Sequence, residues 1–264
     1  KKLDIHPTAT VGKNAEISSS ATIGPYTVIG DHVKIGDGTQ LLSHISVMGH
    51  TCIGKGNLIY PFSVIGGPPQ DVSYKNEKTK LLIGDYNVIR ENCTLSTGTV
   101  KGRSTTEVGS HNLIMAYSHV AHDCKLGNHI LMANGAQLAG HVFIDDNATL
   151  GGFSLIHQFV RIGRYSFTSM GSAVNKDLPP FCLASGNYAR AIGLNRVGLR
   201  RIGMERKLID ALAKAFRILV QRRNSANLEE LDFLGEQFSE VREFIDFIKE
   251  SKRGILRTHL KARI

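Results

Sequence analysis

The chain of 264 residues has no apolar run near the ~18 residues that a membrane helix requires. Its first ten residues contain no apolar core of the kind a secretory signal carries. A cytoplasmic protein without stable membrane insertion is therefore expected. The four cysteines, Cys52, Cys93, Cys124 and Cys182, form no CxxC pair. That argues against a disulfide frame or a structural zinc site and for reduced thiols. No aromatic-interleaved basic stripe or helix-turn-helix pattern supports nucleic-acid binding. Proline is missing altogether after residue 190, and only five of the 27 glycines lie there. A division is expected at that point: 1–190 rich in turns, 191–264 helical.

The net charge is +9, and from Ala191 onward 16 Lys and Arg stand against 10 Asp and Glu. A basic C-terminal third suits an acidic partner or phosphate groups.

The dominant pattern is a period of six. Apolar residues recur at Ile5, Val11, Ile17, Ile23, Ile29, Ile35, Leu41, Val47, Ile53, Ile59 and Ile65. The phase resumes at Ile83, Ile89 and Leu95, and again from Val108 to Val174, where only Thr168 is polar. Neither a helical period of 3.6 nor a strand period of 2 explains this. Anchors are often followed by Gly and then Asp or Asn, as in Ile35-Gly36-Asp37, Ile83-Gly84-Asp85 and Leu126-Gly127-Asn128. Such residues tolerate tight turns and left-handed backbone. Each hexad then reads as a short strand and a turn, and three hexads close a triangular coil of a parallel β-solenoid. Interruptions at 66–82 and 96–107 must loop out of the stack. Leu208, Ile209, Leu212, Ala215, Phe216, Leu219 and Val220 make an amphipathic helical stripe, and Val241, Phe244, Ile245 and Ile248 another. Asn227 is a candidate cap for an intervening helix. These helices are expected to cover the open end of the solenoid.

Among eleven histidines, His119, His122 and His141 cluster. An 18-residue coil places His122, Gly140 and Gln158 in one column, about 4.8 Å apart per coil. Imidazole, the Asp123 carboxylate and an unshielded glycine N–H then share one strip. His122 suits a general base, Asp123 an orienting partner, and the Gly140 N–H a donor to a developing oxyanion. Two other classes remain open: a zinc enzyme like the γ-class carbonic anhydrases, with ligands converging from two subunits, and a non-enzymatic scaffold.

The hexad repeat resembles the left-handed β-helix of hexapeptide acyltransferases. Ser118-His119-Val120-Ala121-His122-Asp123-Cys124, Leu138-Ala139-Gly140-His141-Val142, His157-Gln158-Phe159, Asp177-Leu178-Pro179-Pro180 and Gly198-Leu199-Arg200-Arg201 narrow the resemblance. In that order they are similar to the acyl-carrier-protein–UDP-N-acetylglucosamine O-acyltransferases of lipid A synthesis, from about Ile5 to about Leu256. The resemblance implies a cytoplasmic homotrimer that moves an (R)-3-hydroxyacyl group from acyl carrier protein to the sugar 3-hydroxyl. No metal or dissociable cofactor is implied. His122 is then the base, Asp123 its partner and Gly140 the oxyanion donor. Gln70, Asp71, His119 and His141 face sugar or acyl chain. Gln158 and Arg201 contact phosphates, Asn195 the nucleotide end, and His157 the donor or nucleotide. Met170 occupies the acyl-ruler position and implies a donor of about ten carbons. Ser73 stands where the family usually has lysine, Leu95-Ser96-Thr97-Gly98-Thr99 where it often has Ile-His-Arg-Gly-Thr, and Val197 where an acidic residue is common. The first two leave N-acylation of a 3-amino acceptor open as an alternative.

Overall fold

A computed structural model describes residues 4–222 and 228–258. Most strands hold only two residues, an outward one followed by the buried anchor, as in Val28–Ile29 and Lys34–Ile35. Three sheets result, parallel up to a closing antiparallel hairpin on one of them and each taking every third strand in turn until then, so the chain winds as a three-walled, left-handed β-helix. The register is the one expected: His119 pairs with Gln137, Gln137 with Leu155, and Leu155 with Ala173. The interruptions loop out at 68–79 and 97–104, between Val64–Gly67 and Lys80–Ile83 and between Thr94–Ser96 and Thr105–Val108. They are shorter than the phase break indicated because the flanking strands lengthen into them.

Anchors from Ile23 onward are buried, each contributing about 1.5–3 kcal/mol. Thr168, the polar exception, is fully buried; its hydroxyl pairs with that of Ser154 at 2.7 Å and accepts from the Gly151 N–H. A buried asparagine ladder also crosses the coils. Asn57 Oδ1 accepts from the Asn87 backbone and side chain, and Asn87 Oδ1 from the Asn112 N–H.

The corners differ from the sequence expectation. The left-handed residue is not the glycine after the anchor but falls two positions later, and it is often aromatic or histidine: Tyr86, His111, His129, His141, Phe159. Rings at successive corners stack, as Tyr86 on His111 and His111 on His129, which offsets the local backbone cost of about 1–2 kcal/mol per residue. The glycine answers a steric demand instead. A Cβ at Gly36 would lie 2.7 Å from the backbone of Gly54 in the next coil.

The change from strand to helix falls at Asn195, because the antiparallel hairpin Cys182–Gly186 and Ala189–Leu194 runs across residue 190. Among the described residues four α-helices follow: α1 (Arg196–Arg201), α2 (Arg206–Phe216), α3 (Leu228–Gln237) and α4 (Ser239–Glu250). The first apolar stripe is α-helical to Phe216 and continues as a π-helix, Arg217–Arg222. Asn227 lies outside the described residues. Leu212, Phe216, Val241 and Phe244 join the buried cluster that contains Leu178 and Phe181, so the helices close the C-terminal end of the prism. Arg164 Nε reaches both carboxylate oxygens of Glu243 on α4, at 2.7 and 2.6 Å. Among the described residues no helix is long and apolar enough to cross a membrane.

Candidate active site

A cleft of about 570 Å³ opens on the nine-stranded wall. Three adjacent columns line it: His119, Gln137, Leu155 and Ala173; then Ala121, Ala139, His157 and Asn175; then His122, Gly140 and Gln158. The last is the column that the coil arithmetic predicts. Gln70 enters from the first loop and Tyr188 from the hairpin.

His122 and Asp123 are covalent neighbours whose side chains can meet because Asp123 turns the corner with φ +61°. His122 Nδ1 lies 2.9 Å from Asp123 Oδ2. An ionised carboxylate only accepts, so Nδ1 carries a proton, and in the neutral ring Nε2 presents a lone pair. Asp123 is almost wholly buried. The second loop folds over it: the Thr99 N–H reaches both oxygens at 3.1 Å, the Thr99 hydroxyl donates to Oδ2 at 2.6 Å, and the Arg103 N–H to Oδ1 at 2.8 Å. Burial alone would raise this carboxyl. The Thr99 hydroxyl, His122 and the two backbone donors outweigh it and hold Asp123 below the usual carboxylate range.

Gly140 has a steric role beside any donor role. A Cβ there would stand 2.5 Å from His122 Cε1 and 2.7 Å from Nε2. Only glycine lets the imidazole lie across that strand.

His141 forms the next corner. Its ring meets His122 edge-on at 5.1 Å and stacks on Phe159 at 4.4 Å. Its Nε2 is 3.9 Å from Asp123 Oδ2. His119 Nδ1 is 2.7 Å from the Thr94 hydroxyl. Desolvation holds both imidazoles below the ordinary histidine range; for His141 the Asp123 charge opposes this, and for His119 hydrogen bonding with Thr94 does.

The other expected residues have definite places. Asp71 Oδ1 accepts from both the backbone N–H and the hydroxyl of Ser73, each at 2.7 Å. These bonds hold Asp71 below the usual carboxylate range and tie Ser73 to the loop. The Asn195 side chain caps α1: Oδ1 accepts from the Gly198 N–H, and Nδ2 donates to the Tyr165 carbonyl. What it can still offer a ligand is one amide N–H and the second lone pair of Oδ1. Arg201 is exposed on α1, and Met170 is 81% exposed at a corner; neither lines the cleft of its own chain. Met170 therefore does not pack the prism interior.

Sequence reasoning missed Gln137, Leu155 and Asn175, though the same 18-residue step finds them. It also missed the contacts of Thr99 and Arg103 with Asp123, although both lie in the second break in phase and Thr99 closes the Leu95-Ser96-Thr97-Gly98-Thr99 run, and it missed Tyr188, which carries no signal. His122, Asp123 and His141 place ligand atoms within 4.8 Å of one another, a set that could hold a cation within one chain rather than between two. However, both Asp123 oxygens already accept from N–H or O–H donors, an arrangement that suits an imidazole-orienting carboxylate better than a metal ligand.

The chain is similar to known proteins in sequence and in fold. A profile described as UDP N-acetylglucosamine O-acyltransferase, domain 2, matches residues 177–256. The chain is 47% identical to the acyl-[acyl-carrier-protein]–UDP-N-acetylglucosamine O-acyltransferase of Halorhodospira halophila, covering 96% of the chain and 99% of the relative. Identity to the namesake from Syntrophobacter fumaroxidans is 45%, covering 97% and 100%. The solved UDP-N-acetylglucosamine O-acyltransferase of Moraxella catarrhalis superposes with a TM-score of 0.92 at 43% identity, covering 96% of this chain and 99% of that one. The Francisella novicida UDP-N-acetylglucosamine acyltransferase does so with 0.92 at 37%, covering 96% and 94%. By sequence and by fold, the chain belongs to the acyl-[acyl-carrier-protein]–UDP-N-acetylglucosamine O-acyltransferase family.

Proposed function

We propose that the cleft transfers an (R)-3-hydroxyacyl group of about ten carbons from acyl carrier protein to the 3-hydroxyl of UDP-N-acetylglucosamine, the first step of lipid A biosynthesis, in the cytoplasm. The observation that carries this reading is the His122–Asp123 pair, with Nδ1 hydrogen-bonded and Nε2 left bare beside Gly140.

In this reading the sugar hydroxyl gives its proton to His122 Nε2 as its oxygen attacks the thioester carbonyl. Asp123 stabilises the imidazolium that forms. The Gly140 N–H faces the developing oxyanion. The C–S bond breaks, and His122 returns the proton to the departing thiolate of the carrier. The thioester supplies the activation, so no cofactor is required. Gln70, Asp71 and His141 lie toward the sugar or acyl chain with His119, and Ser73 acts through Asp71. Gln158 and His157 lie toward the phosphates and the donor.

Arg201 and Met170 sit away from this cleft on their own chain, which suits a cleft completed by a neighbouring prism in a homotrimer. Phe153, Tyr117 and Met170 are all exposed on neighbouring corners of one edge, an apolar strip that such a neighbour would cover. The basic helical segment suits the acidic carrier protein.

A grid of 3-hydroxyacyl carrier proteins of about ten, twelve and fourteen carbons against UDP-N-acetylglucosamine and its 3-amino analogue tests the reaction. His122→Ala should lower turnover by at least ~10²-fold with assembly intact. Near-wild-type activity removes the mechanism. Strong preference for the amine moves the chemistry to N-acylation.

A further inference from the structure

His157 lines the cleft between Ala139 and Asn175, and its Nδ1 has two neighbours with opposite demands. Arg253 Nη2 stands 2.8 Å away, and the Gln158 backbone carbonyl 3.2 Å away. A guanidinium only donates and a carbonyl only accepts, so Nδ1 cannot serve both. The shorter, charge-assisted bond prevails. Nδ1 accepts from Arg253, and the neutral ring keeps its proton on Nε2.

Arg253 is itself held in place. Its Nε donates to the Asn175 carbonyl at 2.8 Å. The segment that carries it, just beyond α4, is laced to the prism through Asp177, which is almost fully buried. The Asp177 N–H donates to the Gly254 carbonyl, and its own carbonyl accepts from the Leu256 N–H. Its carboxylate accepts from the Ser251 hydroxyl at 2.6 Å and the Arg161 N–H at 2.8 Å. A cation from the helical end of the chain is thus held by these bonds against a ring in the cleft.

We propose that Arg253 is a positioning residue that fixes His157 in the Nε2–H tautomer, so that the cleft holds a hydrogen-bond donor for an acceptor oxygen of the substrate. Without Arg253 the protein group left beside Nδ1 is the Gln158 carbonyl, at 3.2 Å. The proton would then move to Nδ1, and Nε2 would meet the substrate oxygen with a lone pair. The identity of that substrate rests on the acyl-transfer reading; the tautomer does not.

The test is ring ¹⁵N NMR of His157 in the full-length protein, assigned by loss of its signals in His157→Ala. Wild type, Arg253→Lys and Arg253→Met are compared, since methionine keeps the straight stem without a donor. Wild type and the lysine variant should show Nε2 protonated and Nδ1 bare, and the methionine variant should show the proton on Nδ1. In parallel, Arg253→Met should raise KM for UDP-N-acetylglucosamine about tenfold, the upper end of what one lost neutral hydrogen bond costs, with kcat changed much less. On a His157→Ala background the same substitution should add nothing. A wild-type ring protonated at Nδ1, an unchanged tautomer in Arg253→Met, or an equal KM effect in both backgrounds overturns the proposal. A tautomer switch in a protein that transfers acyl groups to no sugar nucleotide would sink the acyl-transfer reading and leave the Arg253 assignment standing.

Discussion

Thr99→Val is the sharpest probe of the buried carboxylate. The two side chains are nearly isosteric, so the substitution removes one hydroxyl and little volume. That hydroxyl donates to Asp123 Oδ2 at 2.6 Å, in a site closed to water. A hydrogen bond to a charged group contributes about 1.5–3 kcal/mol, and the methyl that replaces it leaves a desolvated lone pair. The Thr99 and Arg103 backbone donors and His122 persist, so the carboxyl stays ionised near neutrality while its pKa rises. The sign follows from linkage. Asp123 is held below its ordinary value of 3.8 in the folded state. Its stabilisation is complete above that value and is lost as pH falls through the folded pKa. Unfolding at about pH 7.5 should therefore show the variant weaker by about 1.5–3 kcal/mol, and the gap should narrow on acidification below about pH 4. The acid limb of the turnover profile should move to higher pH, with turnover near neutrality within a few-fold of wild type. A gap of the same size at both pH values would mean that Thr99 contributes packing alone. No gap at neutral pH would mean that the second loop does not hold the carboxylate.

Gly140→Ala should fold yet lose at least ~10²-fold in turnover, because its Cβ would displace the His122 ring from Asp123; steady-state kinetics within a few-fold of wild type would refute the steric argument. Met170→Gly should shift the donor profile toward longer acyl chains in a competition assay, with stability changed by about 0.5 kcal/mol or less at so exposed a position; an unmoved profile removes Met170 as the ruler. Dialysis against a strong chelator should leave activity unchanged, since the Asp123 oxygens are taken by hydrogen-bond donors; activity lost to the chelator and restored by zinc would reassign His122, Asp123 and His141 as ligands.

The prism and the heart of the cleft are legible in the amino-acid order. A six-residue period with an 18-residue coil converts distance along the chain into contact in space, so His122, Gly140 and Gln158 can be stacked by arithmetic. The same arithmetic places His119, Gln137 and Leu155. It fails wherever the chain leaves the register. Thr99 and Arg103 reach Asp123 from a loop whose path follows no period, Tyr188 arrives on an antiparallel hairpin, and Arg253 meets His157 from the far end of the chain. The glycines and corner residues were read by propensity, but packing decided them: glycine stands where the next coil comes too close for a Cβ, and aromatic rings take the left-handed corners because they stack. Asn195 shows the limit most plainly, since the cap it forms on α1 depends on where that helix begins. Repeat-bound contacts are local in register and legible in sequence; the hydrogen bonds that hold Asp123 behind His122 and that reach His157 are long-range, and only the folded chain creates them.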